Sequence, residues 1–78
     1  MEKRTKIVEL IASISGKAEL PPDEESLLDA GVLDSFGVTD LVSALEQAFG
    51  FQVPDADLRP RKFDSVAKIE AYLADRGV

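Results

Sequence analysis

The sequence predicts an all-α fold, a small four-helix bundle of three main helices and one short one. Three observations predict it. Three stretches carry apolar residues at helical spacing, no stretch alternates as a half-buried strand would, and all four prolines fall between the periodic stretches. A chain of 78 residues makes at most one small domain, burying only about 60% of the surface its unfolded chain exposes. One domain over residues 1–78 is therefore expected, with little room for a deep active-site cleft. With 45% hydrophobic and 31% charged residues, the composition is that of a globular chain and neither disordered nor fibrous.

The first helix is expected over "EKRTKIVELIASIS", residues 2–15. There Ile7, Leu10, Ile11 and Ile14 follow i, i+3, i+4 and i+7, and Gly16 offers a stop. The next stretch, "KAELPPDEESLLDAGVLD", has no sustained period, and Pro21 and Pro22 break any helix in it. Its Leu20, Leu27, Leu28, Val32 and Leu33 are too apolar to remain in water, so it reads as a long loop pinned to the core. Loops of this length are uncommon in compact domains unless they have a task.

The second helix, "SFGVTDLVSALEQAFG", is the clearest in the chain. Val38, Leu41, Val42, Leu45 and Phe49 share a face, and Gly50 is placed to close it. Leu45 and Phe49 are the expected centre of the core. "FQVPDADLRPRKF" supports one or two turns around "DADL", with Asp55 as a cap. The last helix, in "DSVAKIEAYLADRG", has Asp64 or Ser65 as its cap and Val66, Ile69, Tyr72 and Leu73 on one face; Arg76 and Gly77 end it.

The chain contains no cysteine and no histidine. That excludes disulfides, Cys/His zinc clusters, thiol nucleophiles and imidazole bases, and with them most small-enzyme mechanisms. No catalytic residue and no metal site is expected: "DADLRPRKFDS" begins like a calcium loop, but Arg and Lys fill its middle and no Glu closes it. No stretch forms a signal peptide or is long enough to span a bilayer, which makes a cytoplasmic protein, working as a monomer, the expectation.

A net charge of −6 argues against nucleic-acid binding. Residues 18–58 hold ten acids and no Lys or Arg, a charge of −10 against +4 for the flanks together. Such a split attracts basic partners over long range.

Within the acidic stretch lies "GVLDSFG", residues 31–37. Asp34 is placed to cap the second helix, and Ser35 becomes its first residue, with its hydroxyl at the positive end of the helix dipole. A helix start of this kind favours a bound or attached phosphate. No His or Lys stands beside Ser35 to activate it, so any modification there is made by another enzyme.

From "GVLDSFGVTDLVSALEQAFGFQVPDADL" through "KFDSVAKIEAYL", nearly the whole chain resembles the acyl carrier proteins and their peptidyl-carrier relatives. The shared features are an Asp-Ser-Leu-type triplet opening a helix, apolar residues at helical spacing, a proline-containing extended stretch, a short helix and a final helix. The resemblance implies that Ser35 receives 4′-phosphopantetheine from coenzyme A through a separate Mg²⁺-dependent phosphopantetheinyl transferase. An acyl or aminoacyl cargo is then held as a thioester on the arm. It further implies that the protein is not itself an enzyme, and that the second helix docks basic patches on the transferase, the loading ligase and later acyl-transfer enzymes. Asp34, Asp40 and Glu46 would supply charge, and Phe36 and Val38 apolar contact.

Two departures from the family pattern stand out. Phe36 and Gly37 replace the Leu and acid common in carriers of primary fatty acid synthesis, and Arg59, Arg61 and Lys62 bring basic charge near the short helix. Both point to a specialised discrete acyl carrier, loaded by an AMP-forming ligase. The rival readings are an aminoacyl or peptidyl carrier, including carriers of D-alanine, and an unmodified helical interaction module.

Overall fold

The computed structural model describes residues 3–78, and among them it contains three α-helices and no strand. Helix α1 spans Lys3–Ser15, α2 spans Ser35–Phe49 and α3 spans Val66–Asp75. Glu2, where the sequence starts the first helix, lies outside the described residues. Between α2 and α3 the chain makes two 3₁₀ turns, Asp55–Asp57 and Pro60–Phe63, where the sequence suggests one short helix around 55–58.

Helix α1 packs on both α2 and α3, and the second 3₁₀ turn packs on α2 and α3. Their apolar stripes meet in one core in which Ile7, Ile11, Leu41, Leu45, Phe63, Ile69 and Leu73 are fully buried. Burying each such side chain contributes about 1.5–3 kcal/mol, so the core depends on all the elements meeting at once.

The centre of that core differs from expectation in one residue. Leu45 is buried, but Phe49 is only partly so, since it lies in the last turn of α2 beside the left-handed Gly50. Phe63, from the second 3₁₀ turn, is buried instead and meets Tyr72 edge-on with ring centroids 4.8 Å apart. Asp55 is not a side-chain cap either. Pro54 precedes the first turn, which is closed by main-chain bonds from Asp57 to Pro54 and from Leu58 to Asp55.

The loop of residues 16–34 is pinned as its leucines require. Leu27, Val32 and Leu33 are buried, and Leu20 and Leu28 pack against the core. Main-chain bonds fold it tightly: Leu27 O accepts from Val32 N at 2.9 Å and from Leu33 N at 3.2 Å. It therefore delivers Asp34 to the start of α2 from a fixed position.

Candidate functional site

Asp34 caps α2, with extended backbone and its Oδ1 accepting from Gly37 N at 2.7 Å. This satisfies one of the amides that a helix start otherwise leaves without a partner. Gly37 makes the close approach possible. A Cβ there would lie 3.1 Å from Leu33 Cδ2 and 3.3 Å from Asp34 Oδ1, tighter than side chains normally pack. The glycine where fatty acid carriers have an acid is thus tied to the cap beside Ser35.

Ser35 is the first residue of α2 and is exposed. Its carbonyl accepts from Thr39 Oγ1 at 3.1 Å, whereas its own hydroxyl has no hydrogen-bond partner among the described residues. An open groove of about 820 Å³ includes Ser35, with Ile14, Leu28, Leu33, Phe36 and Asp40 also in its lining. Phe36 is 83% exposed and therefore stands at the surface, outside the core. Asp40 is likewise exposed.

Two of the expected contact residues are tied into the chain itself. Val38 is buried, with only 2% of its surface exposed. It points toward the chain because it shares the helical stripe of Leu41, Val42 and Leu45. Glu46 is half-buried, and its Oε2 accepts from Val53 N at 2.8 Å, holding the extended segment after Gly50 against α2. It is a structural link between the helix and that segment.

A second, smaller groove of about 170 Å³ lies between α2 and the 3₁₀ turns, lined by Val38, Thr39, Val42, Leu58, Arg59 and Pro60. Leu58, 47% exposed, joins Phe36 as an exposed large apolar side chain, one that sequence reasoning missed because its neighbours are charged. The basic run near it is largely neutralised within the chain. Arg61 pairs with Asp29 and Asp64, and Lys62 pairs with Asp57, which also accepts from Tyr72 Oη at 2.8 Å. Arg59 is exposed and has no ion pair among the described residues.

Those bonds shift the acids that accept them. The Tyr72 hydroxyl and the Lys62 ammonium hold Asp57 below the usual carboxylate range, and Arg4, with two bonds of 2.6 and 2.7 Å, does the same for Asp23. Burial and the Asp57 carboxylate push Tyr72 up.

The helical scaffold thus presents, at a capped helix start, an exposed serine whose hydroxyl has no hydrogen-bond partner among the described residues. The family model for the phosphopantetheine attachment site matches residues 5–73, and the chain belongs to that family. Its prosthetic group is covalently attached 4′-phosphopantetheine, and the fit is good: the free hydroxyl and the first-turn amides of α2 suit an anionic phosphodiester. The chain is 27% identical to D-alanyl carrier protein 1 of Lactiplantibacillus plantarum over 72 residues, covering 92% of this chain and 90% of that protein. It is 41% identical over 46 residues to the D-alanyl carrier protein of Streptococcus pyogenes serotype M5, covering 59% of this chain and 58% of the relative. No described helix is long and apolar enough to cross a membrane.

Proposed function

We propose that this chain is a single carrier domain over residues 1–78, loaded at Ser35, and that its cargo is an aminoacyl group of the D-alanyl type. One observation supports the attachment site: within the matched region Ser35 is exposed, with no partner for its hydroxyl among the described residues, at the start of α2. The D-alanyl carriers, one of them aligned over nearly its full length, carry the cargo class and move the reading from an acyl carrier to its aminoacyl alternative.

The chain's own residues do three things in this reading. Asp34 fixes the first turn, so that Ser35 Oγ projects from it at a defined angle. The Asp34 and Asp40 carboxylates and the Phe36 ring present a docking surface for basic, partly apolar patches on the transferase and the ligase. No imidazole is available anywhere in the sequence, so the hydroxyl proton of Ser35 passes to a base of the transferase. When attached, the group supplies a thiol on a flexible arm that holds the cargo as a thioester.

The apolar groove under Leu58 supports a second reading, a carrier of short acyl groups. Intact-mass measurement of the protein purified from its own cell separates the two. One phosphopantetheine with or without one alanine is the expected result; an acyl mass would select the second reading, and an unmodified chain that resists a promiscuous transferase would reject both.

A further inference from the structure

The buried ionic centre of this chain is not at Ser35. Asp64, just before α3, is 1% exposed and is the one buried acid among the described residues. Its Oδ2 accepts from Ser26 Oγ at 3.0 Å and from Arg61 Nη1 at 3.1 Å. Its Oδ1 receives no aligned hydrogen bond and is neutralised by Lys68 Nζ at 3.0 Å. Its main-chain oxygen accepts from Leu27 N. One residue thus holds the loop by both side chain and backbone.

What it holds leads directly to the attachment serine. Ser26 Oγ, while donating to Asp64, accepts from Asp29 N at 3.1 Å, and Ser26 O accepts from Ala30 N at 2.9 Å. Leu27 O then accepts from Val32 and Leu33, and the following residue is the cap Asp34. Arg61 adds a second tie, reaching Asp29 Oδ1 at 3.6 Å. Stability alone gives a weak reason for a carboxylate in this place, because well-packed apolar groups often replace buried ion pairs without loss. Directional bonds to one loop give a stronger one.

Building on the reading of Ser35 as the loaded residue, we propose that Asp64 is a positioning residue for that loading. Its bonds to Ser26 and Leu27 fix the loop segment 27–34 and thereby the placement of Asp34 and Ser35 that the transferase recognises. The groups facing the carboxylate are Ser26 from the loop, Arg61 from the second 3₁₀ turn and Lys68 from α3, with Asp29 on the far side of Arg61. Burial acts to raise the carboxyl, but Lys68, Ser26 and Arg61 outweigh it and hold Asp64 below its ordinary value, so it is charged at neutral pH.

Two variants test this, Asp64→Asn and Ser26→Ala, the second removing the Ser26 Oγ bonds to Asp64 and from Asp29 N while leaving the carboxylate in place, and serving alone if the first does not fold. Ile7→Val, a change in the core of α1, is the control for general loss of stability. Amide exchange of Ala30, Val32 and Leu33 should become about tenfold faster in both loop variants, with Leu41 and Leu45 in α2 much less affected. With a promiscuous transferase, KM for the loop variants should rise several-fold with little change in kcat, while the control keeps both constants. Uniform acceleration of exchange, or kinetics matching the control, would overturn the proposal. The exchange measurement requires no loading, so a wild-type chain that fails to load would count against Ser35 as the site and leave this inference to be judged on exchange.

Discussion

Asp34-Ser35 and Asp64-Ser65 are the same dipeptide at the start of a helix, yet they are used in opposite ways. At α2 the aspartate is the cap, and the serine is the exposed first residue of the helix. At α3 the serine is the cap, its Oγ accepting from Lys68 N at 3.1 Å, and the aspartate one position earlier is buried among cations. Neighbours decide the register. Gly37 leaves room for the Asp34 carboxylate over the first turn of α2, whereas buried Phe63 draws Asp64 inward, toward Ser26 and Lys68. Of the two pairs, the one proposed as the loading site is thus the one whose serine is exposed and has no side-chain bond among the described residues.

The largest effect that would break this comparison is on loading itself. Ser35→Ala should abolish addition of phosphopantetheine by coenzyme A, Mg²⁺ and a promiscuous transferase, with the fold unchanged. Ser65→Ala should load normally but lose about 1 kcal/mol of stability with its cap. Intact mass and thermal melts check both, and modification surviving in the Ser35 variant would show that the exposed pair is not the site.

Next in size is the core on which both helix starts rest. Leu45→Ala should cost about 2–5 kcal/mol, much of the stability available to a domain this small. Because α1 packs on both α2 and α3, the cap amides of Gly37 and Lys68 should lose exchange protection together. Loss confined to α2 would mean that the two ends fold independently and that their contrast is local.

How much of this was legible in the sequence follows from the range of each signal. Helical stripes, the Gly50 stop, the leucine-pinned loop and the Asp34 cap rest on residues a few positions apart, and all are present in the structure. Phe63 and Asp64 depend on contacts with distant residues. A phenylalanine after "RPRK" has no periodic neighbours to mark it as core, and Ser26 lies 38 positions from Asp64. The bond of Glu46 was hidden for a related reason: its spacing is that of a solvated helix face, and only the return of the chain at Val53 gives it a partner. Around the proposed site, the exposure of Ser35, Asp34 and Asp40 was legible and the burial of Val38 was not, since apolar residues near a helix start look alike until the helix is docked.

A smaller effect is expected from acid. Asp23, Asp57 and Asp64 are all held below the ordinary value of 3.8, so each contributes stability above that pH that is lost as pH falls through its lowered value. All three lie on the α3 side of the comparison: Asp57 bonds Tyr72, Asp64 bonds Lys68, and Asp23 O accepts from Ala67 N at 2.9 Å. Melting temperature should hold between pH 7 and 5 and fall below pH 4, with Ala67 and Lys68 amides losing protection before Gly37. Simultaneous loss at both helix starts would remove this distinction between them.

The smallest effect on the folded chain, and the one that bears most on docking, concerns single exposed charges. Asp40→Lys reverses an acid on the groove beside Ser35 that is exposed and has no ion pair among the described residues, so stability should change little. Glu46→Lys is a poorer test than its place on the helix promises, because it also removes the acceptor for Val53 N and should lower the melting temperature. Glu70→Lys, at a half-buried position on α3 outside the acidic stretch, is the charge-reversal control. If the transferase reads the acidic surface around Ser35, Asp40→Lys should slow loading several-fold at low salt. Its difference from wild type should shrink as salt rises, since exposed charges are screened over about 8 Å at physiological ionic strength. Glu70→Lys should load at close to the wild-type rate at every salt concentration. Equal slowing by the two reversals, or rates indifferent to salt, would mean that the acids only keep the surface hydrated and that docking at the exposed Asp-Ser pair is carried by the Phe36 ring and the shape of the groove.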